Sequence, residues 1–267
     1  LNPGKIDWPG NLVFGVGLTA LLAGITYAIQ PYGGLSTGFT NPWVLAGMLG
    51  GIALLVWFVF IELKSPAPMF KMQLFRIRAF ALANLAGLLA SIGRGGMQFM
   101  LIIWLQGIWL PLHGYSYEST PLWAGISLLP LTLGFLVAGP ISGALSDRFG
   151  ARVFSTGGLL LVAATFVALL FIPVNFDYWQ FALITGLSGI GSGLFGAPNR
   201  TAIMNSVPAN ARGAASGMTG TFQNAGTSLS IGIFFSLMIA GLANTLPKAL
   251  TTGLTAHAVP AAAAHQA

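Results

Sequence analysis

Apolar residues run through this chain in seven long blocks, at about 11–30, 43–62, 79–105, 121–145, 153–173, 178–199 and 213–242. An α-helix needs roughly 20 apolar residues to cross a bilayer, and each block offers about that or more. Polar residues collect between the blocks, and Pro31, Pro42, Pro66, Pro68, Pro111, Pro121, Pro173 and Pro208 fall there too. A proline lacks the backbone N–H and is tolerated best where a helix begins or has ended. The pattern predicts an all-α polytopic membrane protein with seven transmembrane helices. The last block is long for one crossing and is expected to start as an interfacial helix.

Polar residues inside two blocks keep a helical period. The third carries Asn84, Gly87, Ser91, Arg94 and Gln98, and the seventh carries Ser216, Gly220, Gln223, Thr227 and Ser230. Steps of three and four residues put each set on one helix face. In lipid such a face turns toward other helices or toward water. Two readings stand: interhelical hydrogen bonds acting as packing glue, typically below about 2 kcal/mol each, or a polar-lined cavity. Arg94 favours a cavity for the third block. It lies about 15 residues past the block's start, about 22 Å deep at 1.5 Å per residue. An arginine there costs at least about 2.5–3.5 kcal/mol. The structural alternative is a buried ion pair or a clamp of backbone carbonyls. The candidate cavity residues are Asn84, Ser91, Arg94, Gln98, Gln223 and Thr227. Glycine pairs four residues apart, Gly47 and Gly51, Gly139 and Gly143, Gly189 and Gly193, Gly213 and Gly217, would let helices approach closely. Gly139-Pro140 would kink the fourth helix.

Composition fixes the solvent. Charged residues are 6% of the 267, against about 25% in soluble domains, and mean hydropathy is +0.81. The formal charge of +6 does not point to nucleic acid, because there is no basic stripe with interleaved aromatics. Lysine and arginine instead report sidedness. One set of alternate loops holds Lys5; Lys64, Lys71, Arg76 and Arg78; Arg148 and Arg152; and Arg200 and Arg212. The other set holds only Lys248. By the positive-inside rule the first set is cytoplasmic, so the N-terminus is expected inside and residue 243 onward outside. Trp8, Trp43, Trp109, Trp123, Tyr178 and Trp179 stand at predicted helix ends, as interfacial aromatics do. Cysteine is absent, which removes disulfides and thiolate metal sites.

Several motifs fail on context. Gly191-Ser-Gly-Leu-Phe-Gly196 matches the dinucleotide fingerprint by letters but lies in an apolar helix with no preceding strand. Asn199-Arg200-Thr201 reads as a glycosylation acceptor on the wrong side of the membrane. His113, His257 and His265 are scattered and form no ligand set. No Ser-His-Asp set or carboxylate pair falls at membrane depth. No catalytic residue, metal site or cofactor is expected, and an enzyme is not.

The stretch Gly143-Ala-Leu-Ser-Asp-Arg-Phe-Gly-Ala-Arg152 sits between two spanning blocks. Its pattern, Gly-x-Leu-x-Asp-Arg-x-Gly-x-Arg, resembles the loop signature of the major facilitator superfamily of secondary transporters. That resemblance implies a cytoplasmic gating loop of Gly143, Leu145, Asp147, Arg148, Gly150 and Arg152 between the second and third helices of a six-helix half. Ala151 stands where the family usually has a first basic residue, which suits the second-half copy. Trp104-Leu-Gln106, His113-Gly-Tyr-Ser116, Ala124-Gly-Ile-Ser-Leu-Leu-Pro130, and Ala197-Pro-Asn-Arg-Thr-Ala-Ile-Met-Asn-Ser-Val-Pro208 with Arg212-Gly213 and Phe222-Gln-Asn224 are similar to the fourteen-helix drug:proton antiporter branch.

The resemblance implies a division of the chain. Residues 1–78 would hold two extra linker helices and a cytoplasmic loop. Residues 79–242 would be an incomplete C-terminal six-helix bundle with five helices, and 243–267 the outside loop before a last helix. With Leu1-Asn2-Pro3 at its start and no signal peptide, the chain reads as part of a longer protein whose N-terminal half is absent. The expected function is proton-coupled multidrug efflux of amphipathic compounds across the plasma or inner membrane. Its partners would be a small-molecule substrate, protons, the lipid bilayer and the missing half. Export of a specific metabolite, or a non-transporting membrane sensor or scaffold, are the alternatives.

Overall fold

The computed structural model describes residues 7–35, 37–65, 68 and 70–256, with the backbone alone for Asp147 and for most positions from 243 on. Lys5, Pro66, His257 and His265 lie outside the described residues. The helices are α1 (Trp8–Tyr27), α2 (Pro42–Lys64), α3 (Arg78–Trp104), α4 (Leu110–Leu112), α5 (Thr120–Ser127), α6 (Leu129–Phe149), α7 (Ala151–Leu169), α8 (Tyr178–Asn205) and α9 (Arg212–Ala256). Seven spans among the described residues are long and apolar enough to cross a membrane, matching the seven blocks. Their outer faces, with Leu12, Leu82, Leu160 and Leu183 exposed, suit lipid.

The local signals explain the starts. Asp7 caps α1, its Oδ1 accepting the Gly10 N–H at 2.9 Å. Asn41 caps α2 by accepting from Trp43 N–H at 3.0 Å, with Pro42 opening the helix. Gly150, at φ +90°, is the single residue between α6 and α7.

Four boundaries differ from the sequence reading. The third span continues through a π-turn at Leu105–Trp109 to Leu112, so Pro111 lies inside it. The fourth is broken at Leu128, whose N–H is shared between Ala124 O at 3.1 Å and Gly125 O at 3.3 Å. Pro130 has no N–H for the carbonyl of Ile126, so the ladder is interrupted there. Helix α8 runs on to Asn205, which puts Arg200 in a helix rather than a loop. Helix α9 is continuous and stays helical beyond 242 to Ala256, where a loop is expected. Alanine and leucine supply six of those fourteen residues, but Pro247, Gly253 and four threonines oppose a helix, so local propensity does not account for the extension.

The chain divides into two compact units, Leu1–Met69 with Thr227–Ala267, and Phe70–Gly226. In the first, α1 and α2 form a close hairpin. A Cβ at Gly24 would stand 2.7 Å from Met48 Cγ, and one at Gly51 would stand 2.6 Å from Leu21 N. Phe14 and Phe58 meet with ring centroids 5.0 Å apart.

In the second unit α8 is wedged between α6 and α7. Gly189 lies against the Leu131 carbonyl, and a Cβ at Gly193 would stand 2.9 Å from Ala138 Cβ. On the other flank a Cβ at Gly191 would stand 2.8 Å from Gly158 O. The Ser142 hydroxyl donates to Gly193 O at 3.0 Å. Helices in lipid are held by such van der Waals contact and hydrogen bonding, because lipid is as apolar as leucine. Only some of the glycine pairs serve this end. Gly139, Gly213 and Gly217 have nothing within 4 Å of a built Cβ, and Gly143 has only Ala197 Cβ at 3.9 Å. The close-packing expectation for these four is therefore corrected.

One end of this unit is sealed by an aromatic cluster. Trp109 stacks on Phe176 at 5.0 Å and donates its indole N–H to Phe176 O at 3.1 Å. Phe181 stacks on Phe176 at 5.0 Å, and Met97, Leu101 and Leu105 complete the core there.

Candidate functional site: a two-arginine cavity

The face of α8 that carries no close-packed glycine meets α3 through polar side chains. Asn199 Nδ2 donates to Ala83 O at 3.1 Å, and the Ser188 hydroxyl points at Met97 Sδ at 3.6 Å. The two contacts run antiparallel, with Asn199 near Ala83 and Ser188 near Met97. Asn84 is buried, donating to Phe80 O at 2.9 Å and accepting from the Thr219 hydroxyl at 2.8 Å. It ties α3 to the start of α9 and is packing glue rather than cavity lining.

Between these contacts the helices part. A cavity of about 810 Å³ opens among α3, α6, α7 and α8, with Gln223 of α9 at its border. It exists because α3 presents Ala86, Gly87, Ala90 and Gly93 there, too small to fill the space. Phe135, Phe166 and Phe195 form its walls, and Ser91, Ser192 and Gln223 supply uncharged polar groups. Arg94 and Arg200 supply its charge, and no lining residue is acidic.

Arg94 is exposed to this space, and its guanidinium carbon stands 5.7 Å from the centroid of the Phe135 ring. That is a cation–π contact between α3 and α6. Among the described residues no carboxylate and no backbone carbonyl pairs with it. The ion-pair and carbonyl-clamp alternatives find no partner for Arg94 among the described residues.

Of the six expected cavity residues, Ser91, Arg94 and Gln223 line the cavity. Asn84 does not, for the reason given. Gln98, one turn beyond Arg94 on α3, is exposed outside the lining. Thr227 belongs to the other unit, where its carbonyl accepts the Ser230 hydroxyl at 2.6 Å.

The gating-loop residues are mostly not in a loop. Gly143, Leu145, Asp147 and Arg148 occupy the last turns of α6, and Arg152 the first turn of α7. Gly150 alone makes the turn, and its positive φ is what demands glycine. Arg148 reaches over its neighbour Phe149, 5.6 Å from the ring centroid. The Asp147 side chain lies outside the described side chains.

Arg200, Phe135, Phe166 and Ser192 were not visible to the sequence reading as lining. A signal existed for α8: Thr185, Ser188, Ser192 and Asn199 keep one face by spacing. The phenylalanines carry none, since an apolar residue in an apolar helix looks the same whether it faces lipid or a cavity. His113 stacks on Trp109 at 4.0 Å, with Nδ1 2.7 Å from the Trp109 carbonyl oxygen. Among the described residues no group of acidic or histidine side chains could hold a metal ion.

The profile of the Major Facilitator Superfamily matches residues 10–231. An uncharacterized MFS-type transporter of Bacillus subtilis is 30% identical over 86% of this chain and 41% of its own length. The methyl viologen resistance protein of Salmonella typhimurium is 29% identical over 88% of this chain and 46% of its own length. The methylenomycin A resistance protein of Streptomyces coelicolor is 30% identical over 75% of this chain and 39% of its own length. The chain spans less than half the length of these relatives.

Proposed function

The chain belongs to the Major Facilitator Superfamily of transporters, and we propose that it forms part of a proton-coupled exporter of small amphipathic compounds. The cavity carries this reading: about 810 Å³, walled by aromatic rings and bordered by a few polar groups, within a multi-pass membrane protein. Such a volume suits a drug-sized ligand. Substrate sites in these folds lie near the midplane between two halves that rock against each other. The cavity would be one wall of that site, and a further half the other. Two relatives named for resistance to single compounds support efflux. The reading is of a transporter and not an enzyme.

The positive loops favour a cytoplasmic N-terminal side. A cysteine at Thr37 or Ser116 should then react with an impermeant thiol reagent added to cells, and one at Ser65 should not. Gly143, Leu145, Asp147, Arg148, Gly150 and Arg152 would form the cytoplasmic latch that biases one conformer. Asp147→Asn should slow turnover more than it lowers abundance.

The direct test uses the full-length protein in sealed inverted vesicles energised by a proton gradient. Gradient-dependent uptake of an amphipathic dye from a panel covering both signs of charge, abolished by a protonophore, is the expected result. No uptake at a verified protein level would refute export.

A further inference from the structure

Both charged groups of the cavity are guanidiniums, and no acidic residue lines it. The register of α3 and α8 sets their spacing. Asn199 is hydrogen-bonded to Ala83, so Arg200 lies near that level, and Arg94 is eleven residues farther along α3. Counted from the Ser188–Met97 contact the offset is nine residues, so the rise is roughly 13–16 Å. The two arginines therefore stand in series rather than as a clamp on one group. Arg200 lies near the cavity end closer to the start of α3, and Arg94 lies near the other end, about midway along the third span.

Both line the space that a ligand would occupy. Arg94 rests on the Phe135 ring, which leaves its donors unspent among the described residues. A cation at membrane depth gains from a counter-charge, and a guanidinium presents a planar fork that matches a carboxylate. The walls Phe135, Phe166 and Phe195 offer flat apolar surface beside that fork. Serine and glutamine at the border donate and accept without adding charge.

From this we propose that the cavity takes aromatic monoanions, a carboxylate-bearing ring system above all. The carboxylate meets Arg200 at the mouth and is held by Arg94 at depth, its rings among the phenylalanines. The proposal rests on the export reading, whose site it assigns to a chemical class. A matched organic cation would meet two like charges with no acid in this wall to offset them.

The test uses the purified full-length protein and two probes of one shape and opposite charge, 2-naphthoate and 2-naphthylmethylammonium. Naphthoate should bind at least about tenfold more tightly than the ammonium. Arg94→Gln should weaken naphthoate by at least about tenfold and narrow that preference. Arg94→Lys should retain more binding than Arg94→Gln, since charge survives and the fork does not. Arg200→Gln should chiefly slow association and flatten its salt dependence, as a charge near the mouth would. Melting temperature is recorded for each variant, and if Arg94→Gln does not fold, Arg94→Lys and Arg200→Gln carry the comparison.

Tighter binding of the ammonium, naphthoate affinity indifferent to both arginines, or no binding of naphthoate overturns the proposal. The first result would mean that an acid outside this lining offsets the two arginines. Dye efflux with naphthoate refused sinks the anion assignment and leaves export standing. Naphthoate binding without efflux of any compound does the reverse.

Discussion

Helix α8 has two contrasting flanks. Toward α6 and α7 it is welded: Gly189 and Gly193 admit the α6 backbone, Gly191 admits that of α7, and Ser142 adds a hydrogen bond at 3.0 Å. Toward α3 it carries Ser188, Ser192, Asn199 and Arg200, touches at two polar points, and stands off between them to leave about 810 Å³. The first flank has no room for a methyl group and the second has room for a ligand. One helix thus separates what holds this unit together from what it could bind. Stability should follow the first flank and transport the second.

Breaking the welded flank should give the largest effect. Gly189→Ala drives a Cβ into the backbone of Leu131, which no side-chain rotation relieves. Overpacking of this kind costs about 1–3 kcal/mol or more, and detergent-solubilised protein should lose abundance and melting temperature. Removing only the hydrogen bond is milder. Ser142→Ala leaves the helices in contact and should cost about 0.6 kcal/mol, at most about 1.7, the range measured for interhelical bonds in membranes. A thermal-shift series on purified protein would resolve it from Gly189→Ala. The smallest effect belongs to a glycine off the weld. Gly143→Ala adds a Cβ with its nearest neighbour at 3.9 Å, so stability should change by less than about 0.5 kcal/mol. A large loss at Gly143 would mean that helix contact there is tighter than the fold describes.

The two flanks were unequally legible in the sequence. Seven crossings could be read because lipid forces every spanning segment into an unbroken apolar helix. The break at Leu128 was readable in principle from Pro130, which removes a donor. The welds were only half readable. Spacing marks glycines that could admit a helix, and Gly47, Gly51, Gly189 and Gly193 do so within about 3.4 Å, but spacing cannot say that Gly213 and Gly217 face nothing. Arg94 was legible because its cost at depth demands a reason. Arg200 was not, because the apolar pattern stops at 199 while the helix runs on to Asn205 and carries the charge with it. Asn84 kept the period of the cavity face yet turned out to be glue with Thr219, since a periodic face names a direction and not what stands opposite.

One paired measurement tests the separation of flanks most directly: melting temperature and proton-driven transport on the same preparations of full-length Gly189→Ala and Arg94→Gln. Arg94 has no partner among the described residues beyond the Phe135 ring, so Arg94→Gln should melt within about 1 kcal/mol of the parent and be impaired in transport. Gly189→Ala should lose stability first, with transport per folded molecule largely kept. An Arg94→Gln protein that is stable and transports like the parent would contradict the assignment of Arg94 to the cavity.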